Sequence, residues 1–248
     1  MKKRIIQFGF GLLLIIMVGI LGFALWANAA AQPEAEALNS LQSNQAVTVE
    51  TIQAWLVFTP VEANADTALI LYPGARVDYR AYAPHARAIA AAGFPVVLVP
   101  MPLNFAIFGV NRAANVIAAF PEIDQWAVGG HSLGGAMAAE FANANPSLVE
   151  GLVLWAAYPA ESTDFSNTNL IVSSIYASND GLATPTEIAS SKKRLPANTA
   201  FTEILGGNHA GFGWYGSQNS DGPLAIAKIA QQNQIVEATV QLLELIDR

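Results

Sequence analysis

Cysteine is absent from all 248 residues. That absence excludes a disulfide framework, a thiol nucleophile and thiolate metal ligands, and it leaves stability to the apolar core. Charge is scarce as well: 12% of residues are charged against 53% hydrophobic, a balance that suits one well-filled domain better than two small ones or a disordered chain. Histidine occurs three times, widely scattered and with no H-E-x-x-H pair, so no metal site is expected. Positive charge is scarcer than negative. With Lys2, Lys3 and Arg4 set aside, nine basic residues face 19 acidic ones, a net of −10, and no basic run is interleaved with aromatics. Such a domain repels nucleic acid and anionic surfaces, and no nucleic-acid partner is expected. A G-x-G-x-x-G fingerprint and the Lys-Ser/Thr pair of a phosphate loop are both missing, which makes the glycine pairs Gly129-Gly130 and Gly134-Gly135 a weak case for a nucleotide. No cofactor is expected.

What the chain does have in length is one apolar run. Residues 8–27 carry no charge, include Leu12-Leu13-Leu14-Ile15-Ile16, and follow the basic Lys2-Lys3-Arg4. Twenty helical residues rise about 30 Å, the thickness of a bilayer core, whereas the apolar part of a cleaved signal runs to about 7–15 residues. Residues 1–31 are therefore expected as a signal anchor, a single transmembrane helix at the cell membrane. Ala27-Asn28-Ala29, a small-x-small pattern, keeps open the alternative of cleavage and secretion. In either case the basic cluster stays inside and the rest lies on the extracytoplasmic side. Residues 32–46, with Pro33, Glu34 and Glu36, read as a short polar tether, partly helical around 35–41.

From residue 47 to 248 the pattern is a single domain in which short apolar runs alternate with Ala-rich helical stretches. Strands are expected at 54–58, 68–72, 95–99, 125–129, 152–156, 171–176 and 200–204, and helices near 79–92, 111–120, 133–144, 186–194 and 223–246. Unbroken runs such as Val96-Val97-Leu98-Val99 require cover on both faces of a sheet. The expected fold is α/β, a doubly wound, mostly parallel sheet with helices on both faces. The connection 156–171 is too short for a lid. Apolar screening of an open site is left to Leu103, Phe105 and Phe108, or to Phe212, Trp214 and Tyr215, with core packing the alternative.

Chemistry concentrates at Gly130-His131-Ser132-Leu133-Gly134, between the run Trp126-Ala127-Val128 and the helical pattern that follows. Strand, sharp turn and helix make a nucleophile elbow, with Ser132 in a strained conformation and Gly130 and Gly134 small enough to clear its side chain. A Ser hydroxyl needs a base and a third group to orient that base. His131 adjoins Ser132 and shapes the turn; His85 falls on a predicted helix and reads as surface or packing; His209, in the loop Gly206-Gly207-Asn208-His209-Ala210-Gly211 beyond the last strand, is the expected base. Asp180, followed by Gly181 just past the strand 171–176, is the expected acid, with Asp164 the runner-up as a loop residue beside Ser162 and Ser166. An oxyanion needs two N–H donors: that of Leu133, and one from Tyr72-Pro73-Gly74-Ala75-Arg76, where Ala75 is the first choice and Gly74 the next, since Pro73 has no N–H. Arg76 either pairs with Asp78 or meets an anionic substrate.

Taken together, Tyr72-Pro73-Gly74-Ala75-Arg76-Val77-Asp78, Tyr82-Ala83-Pro84, Gly130-His131-Ser132-Leu133-Gly134-Gly135, Asn179-Asp180-Gly181 and Gly207-Asn208-His209 resemble the small, lidless α/β-hydrolases related to dienelactone hydrolases. The resemblance spans about residues 47–248. It implies an esterase-like serine hydrolase that cleaves a small-molecule carboxylic ester or related acyl compound through an acyl-enzyme, with the chain order Ser132, Asp180, His209 of that fold. Dienelactone hydrolases proper use Cys, so Ser132 does not imply their substrate, and Tyr72-Pro73-Gly74 departs from the His-Gly that opens many oxyanion loops. The competing readings are acyl transfer by the same triad and an inactive binding module on the same scaffold.

Overall fold

The computed structural model of the protein describes residues 2–62 and 66–248, the side chains of residues 2–10 excepted. Helix α1 (Lys2–Asn28) stands on its own for most of its length, with an 18-residue window, Gly11–Asn28, of mean hydropathy 2.2. Leu12, Leu13, Leu14 and Ile15 are all exposed, a face without protein cover.

The domain is an eight-stranded sheet in the order β1-β2-β4-β3-β5-β6-β7-β8. Its strands are β1 (Val47–Ile52), β2 (Trp55–Pro60), β3 (Thr67–Tyr72), β4 (Val96–Leu98), β5 (Gln125–His131), β6 (Gly151–Trp155), β7 (Ile171–Ala177) and β8 (Ala200–Ile204). β1 and β2 form an antiparallel hairpin, β2 runs antiparallel to β4, and every pair from β4 to β8 is parallel. The expected doubly wound α/β sheet is thus present, with a hairpin added at one edge. β1 went unread in the sequence because it is an edge strand: Val-Thr-Val-Glu-Thr-Ile exposes half of its residues and carries little apolar signal.

Two apolar layers cover the sheet. One packs α3 (Ala83–Ala91) and α7 (Lys228–Ile246) on one face through Ile89, Ile235, Leu242 and Leu243; the other packs α4 (Arg112–Ala119) and α5 (Leu133–Ala144) on the opposite face through Val116, Ala138 and Phe141. Burying both faces explains why β3 and β6 are buried at every position. The last helix begins at Lys228, five residues after the expected start, because Ala225 donates its N–H to the carbonyl of Gly206 and holds the preceding segment in a loop. The helix expected at 186–194 divides into α6 (Pro185–Ser191), opened by a Thr184–Glu187 capping box, and a 3-10 turn, Lys192–Arg194.

The segment 32–46 is laid along the domain rather than extended from it. Ala31 bridges Val77 in a parallel pair, Glu34 meets Lys228 at 2.7 Å, and α2 (Ala35–Asn39) buries Ala37 completely. The Arg87 guanidinium binds the carbonyls of Ser40 and Gln42.

Candidate active site

Chain direction decides where the site lies. From β3 the chain moves to β4 on one side and then to β5 on the other, so the carboxyl ends of β3 and β5 face a switch in strand order, where open α/β sheets hold ligands. Tyr72 and Gly130 are register partners there, which sets the 73–78 loop beside the turn at residue 132.

Ser132 adopts φ 54°, ψ −124°, a conformation costly for an L residue and held only by its surroundings. A Cβ at Gly130 would collide with the backbone of Gly134 and Gly135, and one at Gly134 with the carbonyls of Tyr72 and Pro73. The small side chains thus let α5 approach the strand ends backbone to backbone, and this contact brings the Leu133 amide toward the 73–75 loop. Neither the Leu133 nor the Ala75 N–H has a hydrogen-bond partner among the described residues. Gly74, the second choice in this loop, donates its N–H to Tyr82 Oη at 3.0 Å and is already engaged.

β7 and β8 carry the other two groups. Asp180 Oδ2 lies 2.8 Å from His209 Nδ1, both side chains fully or nearly buried. Oδ1 of the same carboxylate accepts the N–H groups of Leu182 and Ala183, each at 2.8 Å, so Asp180 is fixed on both oxygens. Because an ionised carboxylate only accepts, the neutral imidazole carries its proton on Nδ1 and leaves a lone pair on Nε2. That Nε2 is buried without a hydrogen-bond partner among the described residues, and no hydrogen bond joins it to Ser132 Oγ. Asp164, the runner-up acid, accepts from the N–H of Ser166 in an exposed turn and does not enter this pair.

His131 links the turn at Ser132 to His209. Its ring centroid is 4.5 Å from that of His209 and it stacks on Phe212 at 5.7 Å. Tyr82 Oη accepts from Gly74 and is hydrogen-bonded to His131 Nδ1 at 2.8 Å. Burial, and next the neighbouring His209, push the His131 imidazole well below its ordinary pKa and keep it neutral, while burial drives the Tyr82 phenol up. His85 is fully buried against Trp155, with burial lowering its pKa to about 3; it packs the core and reaches neither surface nor site.

Two residues escaped the sequence reading, and a third, Tyr82, entered it only as part of a motif with no role given. Asp221 accepts the N–H groups of His209 and Ala210, at 3.1 and 2.8 Å, and that of Gly181, tying the loops that carry His209 and Asp180. Gln231 of α7 exchanges hydrogen bonds with both the N–H and the C=O of Asn208. The only local signal was Ser220-Asp221-Gly222, which reads as an ordinary turn. Arg76 and Asp78 do not pair: Asp78 binds Arg80 at 2.6 Å, and Arg76 turns to the Ala29 carbonyl and the Trp26 ring. Of the two apolar groups, Phe212 and Tyr215 are buried in the core with their rings beside that of His131, whereas Phe105 and Phe108 pack against Phe23 of α1.

An elbow Ser at the end of β5, with an acid and a His following β7 and β8 on a mostly parallel sheet, defines a doubly wound hydrolase-type fold. The chain belongs to the alpha/beta hydrolase family, whose sequence profile matches residues 68–233. Among solved structures it is similar in fold to a predicted CIB-like hydrolase from Thermoplasma acidophilum, with 16% identity, TM-score 0.57 and coverage of 81% of this chain and 99% of that one. It is also similar to a dienelactone hydrolase from Anabaena variabilis, with 13% identity, TM-score 0.59 and coverage of 82% and 100%. A putative hydrolase from Agrobacterium vitis gives 14%, 0.59, 79% and 99%. A search of curated proteins finds no match.

Proposed function

We propose that the chain is a membrane-anchored serine hydrolase that cleaves a carboxylic ester or related acyl compound. Ser132 is the nucleophile, His209 the general base and Asp180 the group that orients and stabilises the imidazolium. The observation that carries this reading is the buried Asp180–His209 pair at 2.8 Å, which leaves His209 with a free Nε2 lone pair at the same sheet edge as the strained Ser132. Hydrogen bonds between nucleophile and base often close only once substrate is bound, and that is the step assigned to Ser132 and His209 here.

In the reaction, Ser132 Oγ attacks the acyl carbon and its proton passes to His209 Nε2. The oxyanion accepts the N–H groups of Leu133 and Ala75. The C–O bond breaks as His209 returns the proton to the leaving alcohol, and water attacks the acyl-enzyme by the same route with His209 again as base. Delivery to another alcohol in place of water would give acyl transfer. α1 anchors the domain with Lys2, Lys3 and Arg4 on the cytoplasmic side, and the packing of Ala27 and residues 29–31 onto the domain supports retention of this helix over its removal.

A fluorophosphonate probe tests the mechanism directly. Labelling of the wild type and none of Ser132→Ala is expected; folded wild type that resists labelling would instead favour the binding module.

A further inference from the structure

The outer end of α1 packs against the loop that carries Ala75 and against residues 104–108. Arg76, next to the Ala75 amide, donates from its guanidinium to the Ala29 carbonyl at 2.8 Å and lies 4.2 Å over the Trp26 ring. Its backbone carbonyl accepts from Ala31, and its own N–H goes to Asn104. Asn104 in turn donates its side-chain amide to the carbonyl of Ala27. The following residues, 105–108, form an aromatic cluster with the helix: Phe105 stacks on Phe23 at 6.1 Å and on Trp26 at 5.8 Å, and Phe108 meets Phe23 edge-on at 6.4 Å. Ile107 and Phe108 nevertheless remain 48% and 50% exposed.

Helix geometry turns these contacts into a depth gauge. Phe23 precedes the helix end, Asn28, by five residues, which is about 7.5 Å at 1.5 Å per residue. It lies within the apolar window Gly11–Asn28. With that window in a bilayer, a ring touching Phe23 sits at the same level, the depth of about 5–10 Å reached by the apolar faces of interfacial segments. Trp26 and Arg76 then fall at the headgroup boundary, where an amphipathic ring and a cation are favoured.

Resting on the proposed anchor and hydrolase, we infer that the 102–108 segment is a second membrane contact, dipping Ile107 and Phe108 into the outer leaflet beside α1. The mouth of the site is thereby held against the lipid surface, and the substrates are acyl esters dissolved in the bilayer. The occupant of this apolar rim is lipid because the exposed side chains are continuous with the membrane helix itself.

The cysteine-free chain allows single thiols to be placed at will. Full-length Ile107→Cys and Val61→Cys, each labelled with a polarity-sensitive fluorophore, would be reconstituted in phosphatidylcholine vesicles containing brominated acyl chains. Val61 is the reference because it is 53% exposed and follows β2, whose antiparallel pairing with β4 puts its carboxyl end at the opposite end of the strands from the 102–108 segment. Strong quenching at 107 and none at 61 is expected; equal water exposure at both overturns the contact, as does a mature chain lacking residues 1–29. For the substrate, Ile107→Asp should turn over a short water-soluble p-nitrophenyl ester within about twofold of wild type, yet lose tenfold or more on a long-chain glyceride held in the vesicles. Equal rates on the glyceride overturn delivery from the bilayer. A wild type inert toward both esters would sink the hydrolase reading and the supply route with it, while the quenching still decides the membrane contact.

Discussion

The carboxylate of Asp221 holds the backbone of His209 in place, accepting its N–H at 3.1 Å and that of Ala210 at 2.8 Å. The same side chain takes the N–H of Gly181, directly after Asp180, so one carboxylate sets the relative position of the proposed acid and base. Small misplacements of catalytic groups cost as much as about 100-fold in rate. Asp221→Ala should therefore lower kcat by about 10- to 100-fold with KM changed by no more than about threefold, and Asp221→Asn, which keeps one acceptor oxygen, should fall between it and wild type. Steady-state kinetics on a p-nitrophenyl ester checks both.

His209→Ala should reduce kcat/KM by about three orders of magnitude or more, because it removes base and acid together. Circular dichroism should show the fold intact. A loss below about tenfold would remove His209 as the base.

Tyr82→Phe deletes one hydroxyl and strands two partners, the N–H of Gly74 and Nδ1 of His131. Leaving buried polar groups unsatisfied costs about 1–3 kcal/mol, and in a domain of this size each kcal/mol lowers Tm by about 2–4 °C. A thermal melt in detergent should show that drop. Retention of wild-type Tm would mean that the phenol contributes nothing to the loop.

At Gly134 the added methyl of Gly134→Ala would overlap the carbonyls of Tyr72 and Pro73, which are backbone and cannot swing aside. Loss of soluble, folded protein is expected. Gly93→Ala, at a position where a Cβ meets nothing but φ is +110°, should still fold, with a modest loss from backbone strain, and expression with melting separates the two.

Acid sensitivity follows from the buried histidines. His85 takes up a proton near pH 6.5 when unfolded but only near about 3 when folded, and burial lowers His131 in the same direction. The unfolded chain thus binds more protons between these values, and stability must fall as pH drops from about 6.5 toward 3, by up to about 1.4 kcal/mol per pH unit for each group. Tm measured from pH 7 to pH 4 should decline, and His85→Leu, which removes one titrating site, should flatten the slope.

Much of this molecule was legible locally. The buried strands β3, β5 and β6 announce themselves as uninterrupted apolar runs, and the elbow as a Ser framed by glycines between a strand and a helix. Less legible were the elements whose identity depends on a neighbour. Edge strand β1 is polar because one side faces water, and Asp221 looks like a turn residue until the chain around 180 and 209 closes over it. The glycines of the elbow were legible as small residues, but the backbone of 72–73 that a methyl at Gly134 would strike lies where no reading of five consecutive letters could reach.

The sequence by itself determined the apolar helix, the layered α/β pattern and the order in which Ser132, Asp180 and His209 come, since burial, periodicity and turn chemistry act over a few residues. Only the tertiary structure decided that Asp180 meets His209, that Gly74 is spent on Tyr82 and that Arg76 leaves Asp78 for Trp26 and Ala29. Hydrogen bonds and ring contacts are fixed within a few ångströms between segments tens of residues apart, and packing alone sets those distances.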